Sequence, residues 1–233
     1  MTIETPGNAE EDLDDERLRR RYGHYAPLYS FIDARVRKLQ SGYLRKDSGD
    51  VASLAKLRRV AGADPGSEPA VWEVMKGMPA SLIGSGDAPS KSETAAHHAL
   101  TLYALHQQSK GGAMHRRGRG IGLAARRLGR ERAVSEEATR RRFQALGTAS
   151  SLAEAVHHAR GLISQFRAAD VPLDYAAFAV DLARWQDPLL IKAVRLAWGR
   201  DYYRAFAIDD ETDSAASGID DDSSDDKSLG EEQ

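Results

Sequence analysis

Apolar residues recur every three or four positions through most of the chain, and this spacing limits the possible folds more than any other feature. Residues 28–43 illustrate it, because Leu28, Ile32, Val36 and Leu39 fall on one side of a helix. Strict alternation of apolar and polar residues, the pattern of a strand, never extends beyond three or four residues, and no internal repeat is present. The sequence therefore predicts an all-α fold, a helical bundle.

Capping residues predict where several helices begin. The predicted N-caps are Ser90, Ser135, Ser151, Asp174 and Asp187. Ser90 and Ser151 each precede a glutamate by three residues, which is the spacing of a capping box. Pro188 suits the first turn of a helix capped by Asp187, and Pro172 ends the helix that begins after Ser151.

Charge is distributed very unevenly along the chain. Residues 1–16 contain seven acids and no Lys or Arg, and residues 207–233 contain eleven acids and one lysine. Residues 17–206 thus hold 32 of the 33 bases and 17 of the 35 acids, a net charge of +15. Low hydrophobicity with charge of one sign predicts that both acidic ends are disordered. The basic body between them indicates a polyanionic partner, of which nucleic acid is the commonest.

A basic segment, Ser109–Gly122, divides the body. It is rich in glycine and serine, and all its charged residues are basic, so we predict a flexible connection that holds phosphates through arginines and backbone N–H groups. The body 17–206 then consists of two small helical lobes, roughly residues 20–108 and 120–206, or of one continuous bundle.

Arginines concentrate in and after this segment. From Lys110 to Arg142 there are eleven bases and three acids. Arginine favours bidentate contacts to phosphate, and the spacing of Arg126 and Arg130 predicts a basic ridge along one helix face. A solvated basic surface without a ligand is the alternative. Because no zinc finger, homeodomain or aromatic RNP strand is present, we expect contacts to the nucleic-acid backbone without sequence reading.

Several classes of site are excluded or disfavoured. The absence of cysteine removes disulfides, thiolate metal sites and cysteine nucleophiles, and fits a reducing, cytoplasmic compartment. Neighbouring histidines at 97–98 and 157–158 point about 100° apart, so we expect exposed or core-edge side chains rather than metal ligands. Gly118–Gly122 lacks the rest of a P-loop, and no nucleophile triad is recognisable. We predict no catalytic residue, cofactor, metal, signal peptide or membrane span. The tryptophans predicted to lie in the core are Trp72, Trp185 and Trp198.

Several segments, in this order and spacing, resemble CasB, the small subunit of the type I-E CRISPR Cascade effector. The resemblance covers roughly residues 28–205. The segments that carry it are Gly49–Arg59, Gly120–Ala124, Arg141–Leu146, Pro172–Asp174, Leu182–Trp185 and Trp198–Tyr203.

The resemblance implies an all-α, non-catalytic protein made of two helical bundles. It implies two copies side by side, in contact with the large subunit, with the backbone subunits that hold the crRNA, and with target and displaced DNA. Phe143 and Leu146 are then core residues. The residues assigned to nucleic acid are Arg58, Arg59, Lys110, Arg116, Arg117, Arg119, Arg126, Arg127, Arg141 and Arg142. The acidic ends are not part of the family pattern. Two other classes stay open: a free-standing basic helical binder without sequence preference, and an enzyme whose site the sequence does not reveal.

Overall fold

The computed structural model describes residues 6–66, 69–131 and 134–204. Over these ranges the chain folds into ten α-helices and two short 3₁₀ turns, Gly23–Tyr25 and Ala80–Leu82. The helices are α1 Pro6–Tyr22, α2 Ala26–Leu44, α3 Ser48–Arg59, α4 Pro69–Met75, α5 Lys91–Gln107, α6 Ile121–Arg130, α7 Glu136–Thr148, α8 Leu152–Ala168, α9 Tyr175–Trp185 and α10 Ile191–Arg204. The prediction of an all-α fold is confirmed. None of these helices is long and apolar enough to cross a bilayer.

Helix α9 lies at the centre of the bundle. Nine of its eleven residues are buried, so it is apolar around most of its circumference, and only Asp181 and Arg184 are partly exposed. It packs against α2, α5 and α10, while α6 packs against α7, α8 and α10. Buried residues from both predicted lobes form one hydrophobic cluster, and the division into lobes stays a prediction.

The capping box predicted at α5 is complete. Ser90 Oγ accepts from the backbone N–H of Glu93 at 3.0 Å, and the Glu93 carboxylate accepts from the Ser90 N–H at 2.8 Å. At α8 only half of the box forms. Ser151 Oγ accepts from the Glu154 N–H at 3.2 Å, but the Glu154 carboxylate binds Ser150 instead of its cap.

Of the other predicted N-caps, two are confirmed and one is wrong. Ser135 caps α7 and Asp174 caps α9. Asp187 does not cap α10, because its side chain accepts from Leu189 N–H at 3.0 Å in a turn and the helix begins later, at Ile191.

The acidic N-terminal segment differs from the prediction of disorder, since residues 6–22 form α1. Arg20 pairs with Glu16, and Arg19 pairs with Asp15 at 3.9 Å. In each pair the acid precedes the base by four residues, the order that best stabilises a helix. Leu18 packs against the core and attaches α1 to it. The predicted acidic C-terminal tail lies outside the described residues.

The tryptophan prediction holds at two of three positions. Trp185 and Trp198 are buried, and their rings stack with centroids 5.1 Å apart. Trp72 is 60% exposed, so its assignment to the core is wrong. Helix α4 is short and turns Val71 and Val74 inwards, which leaves the side chain between them on the outer face.

His97, which was expected to be exposed or at the core edge, is buried, and so are two other histidines, His106 and His115. His97 Nε2 lies 3.1 Å from the carbonyl oxygen of Ala63, and His106 Nδ1 lies 2.9 Å from the hydroxyl of Tyr175. Burial lowers the pKa of His106 to about 3, so its ring is neutral. The third, His115, belongs to the candidate site.

Candidate nucleic-acid interface

The basic loop, residues 109–120, connects α5 to α6 and is held against the helices rather than flexible as predicted. The backbone N–H of Leu173 donates to the carbonyl of Met114 at 3.0 Å, and Arg116 N–H donates to the carbonyl of Leu173 at 3.2 Å. These bonds pair the loop with the segment that precedes α9 as two strands would pair. The second half of the loop therefore has a defined path.

Two glutamine side chains extend this pairing. Gln40 on α2 accepts from the His115 N–H at 2.8 Å and donates to the His115 carbonyl at 3.3 Å. Gln107 at the end of α5 accepts from Met114 N–H at 3.0 Å and donates to the carbonyl of Gly112 at 2.8 Å. Side-chain amides thus satisfy loop backbone groups that have no partner in a helix.

A buried carboxylate on α2 is the charged anchor of the loop. Asp33 is 2% exposed and receives two hydrogen bonds from Arg117, Nε to Oδ1 at 2.8 Å and Nη2 to Oδ2 at 2.6 Å. His115 Nε2 lies 3.1 Å from Oδ1, and Arg37 Nη1 lies 3.6 Å from Oδ2. Burial raises the pKa of Asp33, but the hydrogen bonds from Arg117 and His115 outweigh it and hold that pKa well below its ordinary value. The carboxylate is therefore charged at neutral pH.

The hydrogen bonds of His115 determine its tautomer. Its Nδ1 accepts from the backbone N–H of Tyr175 at 3.1 Å, so that nitrogen carries no proton. The proton is on Nε2 and is donated to Asp33. A neutral imidazole therefore links α2 to the first turn of α9, with the loop backbone between them.

A second buried carboxylate, Asp174, fixes the tip of the loop. Its Oδ1 caps α9 through the N–H groups of Ala176 and Ala177, at 3.1 and 3.0 Å. Its Oδ2 accepts from Gly118 N–H at 2.8 Å and from the Tyr29 hydroxyl at 3.2 Å. Gly118 has a φ of +78°, a conformation that favours glycine, so the tight turn depends on this residue type.

The four bases predicted in the loop differ in their exposure to solvent and in the partners that they already have. Arg116 is exposed, and Arg119 is partly buried. Arg117 is half exposed, but its guanidinium is engaged by Asp33. Lys110 Nζ pairs with Asp170 Oδ1 at 2.9 Å. Arg116 is consequently the loop base that is best placed to meet a phosphate.

The basic ridge predicted along α6 needs a correction at one position. Arg126 is only 7% exposed, because α6 is enclosed by three other helices and this side chain faces them. Arg127 and Arg130 are exposed. The outward charge of α6 thus comes from these two residues.

Helix α7 packs against α6 and adds further exposed bases. Arg141 is exposed, and its Nη1 lies 3.6 Å from Glu137 Oε1. With the Gln165 amide turned to satisfy its neighbours, its oxygen accepts from Arg142 Nη1 and Nε at 2.9 and 3.2 Å. Phe143 is buried against Tyr202, with ring centroids 4.7 Å apart, and the prediction that it is a core residue is confirmed. Leu146, also predicted to be core, is fully buried.

The last two predicted bases lie elsewhere. Arg58 and Arg59 are the last two residues of α3. This helix packs against α2, α4 and α5, and it is not part of the group formed by α6, α7 and α8. Arg59 is exposed, whereas Arg58 is partly buried and its Nη1 has no hydrogen-bond partner among the residues that the structure describes. A role for either residue in nucleic-acid binding stays a prediction.

Sequence reasoning missed the residues that support the loop. Asp33 and Gln40 interrupt the apolar side of α2, where Tyr29 and Val36 are buried. The signal that could have identified them is a polar residue on the apolar side of an amphipathic helix, because such a group needs a hydrogen-bond partner inside the protein. Within the described ranges no cluster of three or more His, Asp or Glu is arranged to hold a metal ion.

The family of the chain follows from comparison with known proteins. A family profile described as CRISPR-associated protein Cse2 matches residues 53–203, from the middle of α3 almost to the end of α10. The chain belongs to this family. The resemblance to CasB is thereby confirmed, and the Cse2 match includes the basic loop and the helices α6 and α7 that carry its neighbouring bases. No curated protein matches the chain.

Solved structures agree with the Cse2 assignment. CasB from Thermobifida fusca is 35% identical with a TM-score of 0.62, over 76% of this chain and 97% of that one. CasB from Thermus thermophilus is 25% identical with a TM-score of 0.55, over 77% and 99%. A chain from a structure described as a CRISPR RNA-guided surveillance complex is 21% identical with a TM-score of 0.60, over 81% and 99%, and at this identity shows the fold alone.

Proposed function

We propose that this Cse2-family chain is the non-catalytic small subunit of an RNA-guided DNA surveillance complex, the type I-E Cascade, in antiviral defence. Its partners are the large subunit, the backbone subunits that hold the crRNA, a second copy of itself, the crRNA, and target and displaced DNA. Family membership supports this assignment, as does the similar fold of a chain from a CRISPR RNA-guided surveillance complex.

The observation that carries the nucleic-acid part of the proposal is the outward charge of the basic loop, α6 and α7. Arg116, Arg127 and Arg141 are exposed and lie on consecutive elements, of which α6 and α7 pack against each other. Guanidinium groups on helices and on an anchored loop suit phosphate oxygens, which they bind without reading bases. The partner is therefore the backbone of a nucleic acid, in whatever sequence the guide selects.

Small contributions of this kind are enough to matter during R-loop formation. An RNA–DNA hybrid is about as stable as the DNA duplex that it replaces, so strand exchange is nearly balanced. Each phosphate contact to a single strand releases counterions, with a log–log salt slope of about −0.7 per contact. A few arginines that hold the displaced strand shift the balance towards the open R-loop.

The test uses the complex reconstituted with its partner subunits and crRNA. The variant pair Arg127→Ala and Arg141→Ala is compared with a control pair, Arg45→Ala and Lys76→Ala, which are exposed bases outside the assigned set. An exposed ion pair contributes up to about 1 kcal/mol, or roughly fivefold, so the first pair should lower target-DNA affinity by up to about 25-fold.

The control pair should stay within about twofold of wild type, because it changes the net charge equally without touching the interface. An equal loss of target-DNA affinity for both pairs would mean that net charge, and not the assigned interface, determines binding. A chain that does not co-purify with the partner subunits and crRNA would contradict the subunit assignment and favour a free-standing binder. Cleavage of DNA by the isolated chain with Mg²⁺ would contradict the non-catalytic role.

A further inference from the structure

Residues of the basic loop alternate between anchoring the loop and facing solvent. His115 and Arg117 both donate to Asp33, and Arg116 stands between them with its side chain exposed. The backbone N–H of Arg116 is itself bonded to the carbonyl of Leu173. The residue on each side of Arg116 and its own backbone are thus all tied to the core.

We infer that Asp33 and Gln40 are positioning residues for nucleic-acid binding, which they support by holding the loop in the conformation that presents Arg116 to a phosphate. This inference rests on the proposed function. It also divides the loop bases, since Arg117 serves as an anchor and Arg116 makes the contact.

The geometry of the anchors supports this division. The guanidinium of Arg117 donates through both Nε and Nη2 to one buried carboxylate, and this bidentate geometry is typical of a strong, directional ion pair. Its Nη1 also lies 3.7 Å from Asp14 on α1. A phosphate at Arg117 would have to compete with two carboxylates, whereas Arg116 faces no such competition from the loop anchors.

Removing the Asp33 carboxylate changes DNA affinity in opposite directions, depending on whether Asp33 positions the loop or acts only through its charge. Asp33 is a buried acid beneath a basic surface, so the loss of its charge by itself makes the local potential more positive and tightens DNA binding. Loss of the anchor frees Arg117 and His115 and allows the loop to sample other conformations, which weakens binding through Arg116. The inference therefore predicts that Asp33→Asn lowers DNA affinity.

The experiment measures binding of a fluorescein-labelled 30-nucleotide single strand to the full chain over a range of salt concentrations. Arg116→Ala should lower affinity about fivefold and reduce the salt slope by about 0.7, the values for one exposed contact. Asp33→Asn should lower affinity by a similar factor. Asp87→Asn, an exposed acid with the same charge change, should leave affinity equal to wild type or slightly higher.

A double variant tests whether Asp33 acts through Arg116. If it does, Asp33→Asn combined with Arg116→Ala should bind no more weakly than Arg116→Ala alone, because the two changes remove the same contact. Hydrogen exchange of the amides of His115 and Arg116 should also become at least tenfold faster in Asp33→Asn, while exchange in α9 stays slow.

A second variant covers the case in which Asp33→Asn does not fold. Gln40→Ala changes no charge and removes only the two hydrogen bonds to the His115 backbone. It should also weaken binding, and again only in the presence of Arg116.

The outcomes separate the two proposals. No binding of the strand by wild type, even at low salt, would contradict the proposed nucleic-acid function and this inference with it. Weaker binding by Arg116→Ala, with wild-type binding by Gln40→Ala and a folded Asp33→Asn, would overturn the inference alone. The inference would also be overturned if the double variant bound DNA more weakly than Arg116→Ala alone, or if Arg116→Ala bound DNA with wild-type affinity.

Discussion

Asp181 makes the stability of this protein depend on pH in a direction unusual for a carboxylic acid. It lies on α9, where its Oδ2 accepts from Trp198 Nε1 at 2.6 Å. Burial raises the pKa of Asp181 from 3.8 to about 7, although Trp198 and Arg184 favour the charged form. In the unfolded chain the carboxyl keeps its ordinary pKa, so between about pH 4 and pH 7 the unfolded state binds fewer protons than the folded one. The free energy of unfolding therefore falls as pH rises through this window.

The size of the effect follows from the difference in pKa. A difference of about three corresponds to ~4 kcal/mol, at about 1.4 kcal/mol for each factor of ten in the proton affinity. Because Asp181 as a residue is only partly buried, we expect about half of this, ~2 kcal/mol. Asparagine is neutral at every pH and its Oδ1 still accepts from Trp198. Asp181→Asn should therefore be about 2 kcal/mol more stable than wild type above pH 7 and equally stable near pH 4.

Urea unfolding of the full chain at intervals from pH 4 to pH 8 measures this difference. Buried histidines such as His97 and His106, whose pKa values are lowered, affect both proteins equally, so the difference curve isolates Asp181. Asp87→Asn, at an exposed position, serves as the control and should show no pH-dependent gain. A variant that is less stable than wild type at pH 8, or a difference that is constant with pH, would refute the argument, because it would mean that the folded protein needs the Asp181 charge.

Three further expectations concern packing, charge and the assembled complex. Gly122→Ala should destabilise the chain by about 1–3 kcal/mol, since its Cβ would clash with the carbonyl oxygen of Trp198. Gly161→Ala, in open space within α8, should instead stabilise it by about 0.5–1 kcal/mol. Melting temperatures that both rise or both fall would contradict this account. Deletion of residues 207–233 removes eleven acids and one base and should tighten binding of single-stranded DNA at low salt, where unchanged affinity would show that the acids do not oppose DNA. Arg141→Ala should weaken DNA binding by the complex without changing the melting temperature of the isolated chain, and a drop of many degrees would make Arg141 a structural ion-pair member instead.

The sequence by itself determined the fold class, the family and four of the five helix starts that its capping residues predicted. Ser90 and Asp174 were predictable as caps because a cap bonds backbone groups only two or three residues away, so all the partners lie within one short stretch. The periodicity of the apolar residues likewise predicted the helices, because it depends only on the 3.6-residue repeat. Failures of local reasoning, such as Asp187 and Trp72, occurred where a turn or a very short helix changed which side faced the core.

Only the tertiary structure decided the state of the basic loop. Its glycines and serines indicate flexibility, yet Arg117 finds its carboxylate 84 positions earlier in the chain, and Gly118 finds Asp174 56 positions later. No local pattern encodes such pairs, because they form only when α2, α5 and α9 pack together and bring buried acceptors beside the loop. The same packing decides which arginines face solvent, as the contrast between buried Arg126 and exposed Arg116 demonstrates. Composition thus predicted a basic surface, whereas the choice of residues that form it depends on long-range hydrogen bonds and helix packing.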